Sequence, residues 1–487
     1  MIRDLLRLAD REFDVLVVGG GIYGLTIAYD ATQRGLSVAL VERGDFGAAT
    51  TFNHLKTIHG GLRYLQSADI RRMRESIRER RTFAHIAPRF IAPLRFAMPT
   101  GPSLTRNPIA MKTALALDAY VGRDRNEGVD ASLHLPAGRL IAGQECRAMF
   151  DGAIRTVASA AMWYDYQTID GDRLTLSFAK AAASNGAVIV NYVEAIGSLE
   201  PFNKDKRFHG VRARDNLTGQ VFDIRTRTLV NAGGPWGATI RDASGVRTRW
   251  PLLKAMNLVT SRPARESALV AAGGSGRALV LLPWRGRTLV GTSESSDERQ
   301  PDDQDARLVE VDQFLADVNG AFPMLGLKAA EVTLVHRGVV PAVSVNGRLS
   351  LVGSSRIIDH ADAGSPEIVS VVGVKYTTAR AVAERTVDLI VGKLGRASIP
   401  CRTAVTPLPG AALDDRDPPD GIVHAVREEM AHTLIDAVVR RTGLGAAGHP
   451  GDVVASDAAN RMQAALRWSD ERRDQELESL RRFYDIK

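Results

Sequence analysis

The sequence predicts a mixed α/β and α+β protein, and three features carry that prediction. The chain opens with an apolar strand, a glycine turn, a helix and a second strand, the pattern of a parallel-sheet unit. Its middle holds short β-branched runs joined by a tight turn, which read as an antiparallel hairpin. Its last segment combines helical spacing with dense charge and reads as a small helical domain.

Composition sets the frame for these elements. The chain has 487 residues, 45% hydrophobic and 24% charged. That length suggests two or three domains, and the balance excludes a disordered, collagen-like or coiled-coil protein. Cys146 and Cys401 are the only cysteines. Two such distant thiols make no zinc site and no disulfide framework, so a reducing compartment and no metal are expected. A net charge of +7 is a mild excess for this length. It suits anionic lipid, a phosphorylated substrate or nucleic acid, and equally well plain solubility. No apolar run is long enough to span a bilayer, and Met1–Glu12 lacks a signal-peptide stretch. The expected location is the cytoplasm, with peripheral attachment to the inner face of the membrane as the alternative.

The first strand, Phe13–Val18, is too short for a helix and rich in β-branched residues, as a buried parallel strand should be. Gly19-Gly20-Gly21-Ile22-Tyr23-Gly24 follows, and Leu25–Ala31 continues at helical spacing. The next strand, Ser37–Val41, ends in Glu42. Strand, glycine turn, helix, strand and acid in this order form the context of a dinucleotide site. Gly19 permits the tight turn, Gly21 lets the backbone approach a pyrophosphate, and Gly24 lets helix and strand pack closely. The helix that Ile22 and Tyr23 begin offers N–H groups and a positive dipole end to the phosphates. Glu42 would accept hydrogen bonds from ribose hydroxyls and disfavour a 2′-phosphate, so FAD or NAD suits the site better than NADP.

After Glu42 comes a loop of small and hydroxyl residues, Arg43 to Thr51, then Lys56-Thr57-Ile58-His59-Gly60-Gly61-Leu62-Arg63-Tyr64-Leu65. On these residues the chain resembles the FAD-dependent glycerol-3-phosphate dehydrogenases, within the wider D-amino-acid-oxidase-like flavoprotein superfamily. Four later stretches keep the family's order: Asn231 to Trp236, Leu289 to Glu294, Gly373 to Arg380, and Arg440 to Gly445. The resemblance covers nearly the whole chain, from Phe13 to Arg472.

The resemblance implies a Rossmann-like FAD-binding domain built discontinuously from 13–100, 150–250 and 350–400. It is interleaved with an antiparallel-sheet substrate domain over 100–150 and 250–350. Within the latter, Ala278–Trp284 and Thr288–Thr292 flank Arg285-Gly286-Arg287 as a hairpin. Residues 406–420, rich in Pro and Asp, read as a linker to a C-terminal helical domain over 421–487. The implied FAD contacts are Gly19, Gly21, Ile22, Tyr23, Gly24, Glu42, Arg43, Thr50, Thr51, Val193, Ala232, Gly233, Gly373, Lys375, Tyr376 and Thr377.

The resemblance also implies substrate residues, each with a plainer alternative. Arg63 and Tyr64 would line the substrate pocket, or pair with an acid and pack. Lys375 would face the flavin, stabilising charge at its reduced edge, and lie near the substrate; otherwise it is a surface lysine. Arg356 matches an arginine that grips the substrate phosphate, to which a guanidinium fork is suited; otherwise it forms a surface salt bridge.

Two departures bear on the substrate. Asn257 stands where the family has a histidine base, and an amide cannot take a proton at neutral pH. Val340 stands where the family has a phosphate-binding arginine. Arg337 or His336 could replace it, although adjacent strand residues face opposite sides. Val374 and Ala379 replace a glycine and a tyrosine. The candidate bases are therefore His59, His336 and Lys375.

The basic run Arg71–Arg81 is a solvated helix face with Glu–Arg pairs, or a patch for anionic lipid headgroups. Nucleic acid is not expected as a partner. The expected reaction is oxidation of a secondary alcohol by hydride transfer to flavin N5. Its expected substrate is sn-glycerol 3-phosphate, giving dihydroxyacetone phosphate, with electrons passing to quinone or another acceptor. The alternatives are another polyol phosphate, a hydroxy acid or an amine as substrate, or a non-catalytic flavin-binding partner or sensor.

Overall fold

The structure is a computed structural model that describes residues 1–199, 208–239, 250–274, 277–345 and 347–487. Residues 240–249, within the expected segment 150–250, lie outside the described residues.

At the centre of the first sheet, strand Glu12–Val18 runs parallel between Val38–Val41 and Val221–Asn231. Val188–Val190 and Ile368–Val372 extend it on either side, also parallel. Phe13 to Val17 and all of Val38–Val41 are buried, as continuous apolar strands covered on both faces must be. Val15 and Val17 pack with Leu25, Phe178 and Val382, from helices Ile22–Gln33, Gly171–Ser184 and Ala379–Lys393. Leu16 faces the other way, onto the antiparallel ribbon of Val193–Ser198 and Gly210–Asp215 and the helix Leu5–Ala9. This alternation is the period of two expected of a strand.

The second sheet is mostly antiparallel. Leu252–Pro263 pairs with Arg287–Glu294 on one side and Val332–Val345 on the other. Ala278–Trp284 and Arg287–Glu294 form the expected hairpin, closed by Arg285 and Gly286 with φ of +47° and +77°. Three strands join this sheet from segments expected in the FAD-binding domain: Thr57–Ile58 and Ile91–Pro99, inside 13–100, and Ser159–Thr168, inside 150–250. An apolar run announces a strand, but not the sheet that will pair it.

Residues 406–420 carry no helix or strand, yet they are fastened to the body. Leu408 N–H donates to Ile86 O at 2.8 Å, and Arg89 N–H donates to Ala411 O at 3.0 Å. Beyond them come helices Gly421–Glu429, Asp452–Leu466 and Asp470–Phe483, with a π-helical turn at Asp436–Arg441. Their apolar stripes, among them Val438, Ala459 and Leu480, pack on Leu282 and Trp284 of the second sheet. On Asp470–Phe483 only Glu476 and Leu480 are buried, which explains its charge-rich sequence.

Candidate active site

A cavity of about 610 Å³ opens where the two sheets meet. Its walls come from residues just beyond the parallel strands (Gly19, Glu42, Ala232, Gly233 and Gly373) and from the second sheet (Ala255, Asn257, Thr292, Gly338 and Val340). Ligands of open α/β sheets bind in this crevice, outside the carboxyl ends of the strands.

The glycine turn shapes one end. Gly19 has φ of +109°, and a Cβ there would sit 2.4 Å from Ala232 O. A Cβ on Gly24 would sit 1.9 Å from Gly19 O, so only glycine lets the helix lie this close to the strand end. Gly21 caps helix Ile22–Gln33 with no side-chain hydrogen bond, leaving its first turn facing the cavity. Ile22 N–H donates to Thr51 Oγ1 at 3.0 Å. The Glu42 carboxylate accepts from Gly20 N–H at 2.7 Å and Gly44 N–H at 2.8 Å. Burial pushes this carboxyl up, and the two backbone bonds pull it back. Arg43 lies 4.6 Å over the Trp236 ring, whose Nε1–H donates to Asp302 at 2.7 Å.

Lys375 also lines the cavity. Its turn is held by the Tyr23 hydroxyl, which accepts from Val374 N–H at 3.1 Å and Lys375 N–H at 3.0 Å and donates to Lys375 O at 2.7 Å. Lys375 Nζ lies 4.2 Å from the Tyr64 ring centroid. Burial, helped by the positive charge of Arg63, lowers this amine to about 8. Next to it, Tyr376 stacks on His54 at 4.5 Å. Burial and the neighbouring Lys56 push His54 down to about 3, so its ring is neutral. Asn257 is locked as well: its amide donates to Asn53 O at 2.8 Å and accepts from the Thr292 hydroxyl at 2.7 Å.

Residues 14–389 match the FAD dependent oxidoreductase family. The chain belongs to this family. Residues 419–473 match the C-terminal domain of alpha-glycerophosphate oxidase. Among curated relatives, a glycerol-3-phosphate dehydrogenase of Synechocystis sp. is 28% identical, over 91% of this chain and 91% of that protein. The mitochondrial glycerol-3-phosphate dehydrogenase of Mus musculus is 30% identical over 78% of this chain, which spans only 53% of the mouse protein. Among solved structures, the glycerol-3-phosphate dehydrogenase from Bacillus halodurans complexed with FAD shares the fold. Its TM-score is 0.74 at 22% identity, covering 98% of this chain and 95% of that one.

The cavity of this FAD-dependent oxidoreductase suits its cofactor. Side chains at Gly19 and Gly24 would close the cradle, and the helix N-terminus and Glu42 supply donors and an acceptor along one wall. Among the implied FAD contacts, Gly19, Gly21, Ile22, Tyr23, Glu42, Arg43, Thr50, Thr51, Val193, Ala232, Gly233, Gly373, Lys375 and Tyr376 line the cavity. Gly24 packs behind the turn. Thr377 is buried, with its hydroxyl 3.3 Å from His59 N–H.

The implied substrate residues divide. Lys375 and Asn257 reach the wall, as does Val340. Tyr64 is buried under Lys375, Arg63 is exposed beside it, and the His59 ring lies 6.4 Å from that of Tyr64. Burial, with Lys375, Arg63 and Arg80 outweighing Asp165, lowers His59 to about 4. His59, Arg63 and Tyr64 do not line the cavity, and neither do three further residues. Arg356 is exposed, its guanidinium 4.9 Å over Trp250. Arg337 donates to Gln304 O at 2.5 Å and Val335 O at 3.2 Å. His336 is 0% exposed and packed on Phe52 at 4.7 Å. Burial holds it well below the usual histidine range.

The sequence gives little warning of Asn53, His54 and Thr292. Asn53 and His54 sit in the gap between two recognisable motifs, and Thr292 is a routine strand residue until Asn257 faces it. In the basic run, Arg80 pairs with Asp165, Arg74 and Arg81 with Asp124, and Arg72 with Asp69.

Proposed function

We propose that this enzyme oxidises sn-glycerol 3-phosphate to dihydroxyacetone phosphate, passing electrons to quinone or another acceptor. One observation carries the proposal: Lys375 stands at the cavity wall with its amine 4.2 Å from the Tyr64 ring centroid, where burial lowers it to about 8. The names of the Synechocystis and mouse relatives support the choice of substrate. Bound FAD supplies the hydride acceptor at flavin N5. Lys375 Nζ, in its neutral form, takes the proton of the C2 hydroxyl. Arg63, exposed and outside the cavity wall, is the proposed fork for a phosphate at the cavity mouth. The Asn257 amide, fixed by Asn53 and Thr292, orients the substrate through hydrogen bonds and leaves proton transfer to Lys375. His59 stays neutral at the operating pH and serves as a hydrogen-bonding neighbour.

A different polyol phosphate, a hydroxy acid or an amine is the second reading, and the wall itself favours it. The cations lining the cavity among the described residues are Arg43 and Lys375, and Val340 there is apolar. Loss of one charged phosphate contact weakens binding about ten- to a hundred-fold. Steady-state turnover of a substrate panel with an artificial electron acceptor separates the two. The proposal expects glycerol 3-phosphate to have the highest kcat/KM; a hydroxy acid or amine ahead of it would reject the proposal.

Quinone as acceptor would place the enzyme peripherally on the inner face of a membrane. No helix of the described residues is long and apolar enough to cross one. Support comes from helix Pro108–Val121, which turns Ile109, Leu117 and Tyr120 to solvent, with exposed Leu104 before it and Lys112 and Arg123 alongside. Apolar and basic residues on one surface suit an anionic interface. Co-sedimentation with phosphatidylglycerol vesicles but not phosphatidylcholine vesicles is expected; equal recovery with both would count against attachment.

A further inference from the structure

The C-terminal helical region contributes no residue to the cavity wall. Three of its buried charges, Asp436, Arg440 and Arg441, nevertheless connect to a loop that does. Asp45 lies in the stretch between Glu42 and Thr51, whose residues Arg43, Gly44, Ala48 and Thr51 face the cavity. Asp45 itself turns away from it. Its carboxylate accepts from Arg440 Nε at 2.7 Å and from Arg441 Nη1 and Nη2 at 2.8 and 2.6 Å. Asn191 Nδ2 adds a fourth donor at 3.1 Å.

A second wall segment is tied to the same turn. Tyr192 precedes Val193, which lines the cavity, and has φ of +56°. Its N–H donates to Gly44 O at 2.9 Å, and its hydroxyl donates to Asp436 at 2.8 Å. Arg440 closes the circuit with a 2.5 Å bond to Asp436. Asp45, Asp436, Arg440 and Arg441 are all at most 6% exposed, and their formal charges cancel.

Docking alone does not require such a circuit. Apolar side chains of equal volume hold a domain as well as a buried ion network or better. What the network adds is directional geometry, because each fork fixes both the distance and the plane of its partner. A second ion cluster, Glu429 with Arg173 and Lys180, already joins the same region to helix Gly171–Ser184, and none of its members lines the cavity.

We infer that Arg440 and Arg441 are positioning residues for FAD. Through Asp45 and Asp436 they hold the two wall segments in the shape that receives the cofactor. The helical region thereby sets cofactor retention from outside the cavity. This inference rests on FAD binding alone and is independent of which alcohol is oxidised.

The test measures FAD affinity of the full chain by fluorescence titration of apoprotein, alongside the Tm of that apoprotein. Arg441→Lys keeps the charge and loses the fork, and Asp45→Asn keeps the shape and loses the charge. Each is expected to weaken FAD binding roughly three- to thirty-fold. Glu429→Gln, which breaks the other cluster on the same docking face, is expected to lower Tm while leaving FAD affinity within about twofold. If Asp45→Asn does not fold, Arg441→Lys and Glu429→Gln decide. Unchanged FAD affinity in Arg441→Lys, or equal weakening in Glu429→Gln, would overturn the inference and reduce the network to domain docking.

Discussion

Lys375 is the residue on which the chemistry turns, because among the three candidate bases it alone reaches the cavity wall. Its amine is lowered to about 8 by burial, so the fraction able to accept a proton grows as pH rises through that value. The expected kcat/KM therefore climbs with pH to a plateau above about 8, as a pH–rate profile of the free enzyme reads. Lys375→Met should lower kcat by about 10²–10⁴, and Lys375→Arg should not rescue it, since a guanidinium stays protonated. Substantial activity in Lys375→Arg would remove the base role. His336 provides the contrast. Its ring is buried away from the cavity, so His336→Leu should leave kcat within about threefold, as a stopped-flow measurement of flavin reduction can check. From the sequence, Lys375 and His336 look equally available. Only the register that puts His336 opposite Asn257, and the packing of Phe52 over its ring, separates them.

At the scale of elements, the glycine turn is the part most legible in the sequence. Three glycines, a helix and an acid in fixed order leave one geometry, and each has a steric or hydrogen-bonding reason in the structure. Gly24→Ala tests the tightest contact: its Cβ would meet Gly19 O at 1.9 Å. The variant should emerge with little bound flavin, read as the ratio of visible to ultraviolet absorbance after purification. Full flavin occupancy would show that the turn relaxes. The linker was legible only as composition. Proline and aspartate mark 406–420 as irregular, but nothing local announces that Leu408 and Ala411 would be bonded to the segment 86–89, more than three hundred residues away in sequence. The Asp45 network is hidden for the same reason, because its partners lie 395 and 396 positions apart.

Across the whole molecule, the interleaving of two sheets was readable from the family resemblance, while the sheet membership of Ile91–Pro99 and Ser159–Thr168 was not. Both strands are apolar enough for either sheet, and pairing is decided by contacts distant in sequence. Burial also gives the fold a pH dependence. His54 and His59 are lowered to about 3 and 4, and His336 is lowered as well. Folded, these rings are neutral; unfolded, they take protons near pH 6.5, so stability falls as pH drops below about 6.5, the His59 part of the loss ending near about 4 and the His54 part near about 3. Asp172, raised to about 6 by burial, acts in the opposite sense and offsets part of the loss. Each histidine contributes up to about 1.4 kcal/mol per pH unit in that window. Thermal unfolding should show Tm falling between about pH 7 and about pH 5. A flat profile would mean that the three rings are hydrated.

Anaerobic addition of sn-glycerol 3-phosphate to the purified, FAD-loaded enzyme tests the central claim most directly. The proposed oxidation predicts prompt bleaching of the visible flavin absorbance, with one dihydroxyacetone phosphate formed per flavin reduced. A flavin that stays yellow with glycerol 3-phosphate, yet bleaches with a hydroxy acid or an amine, would contradict it.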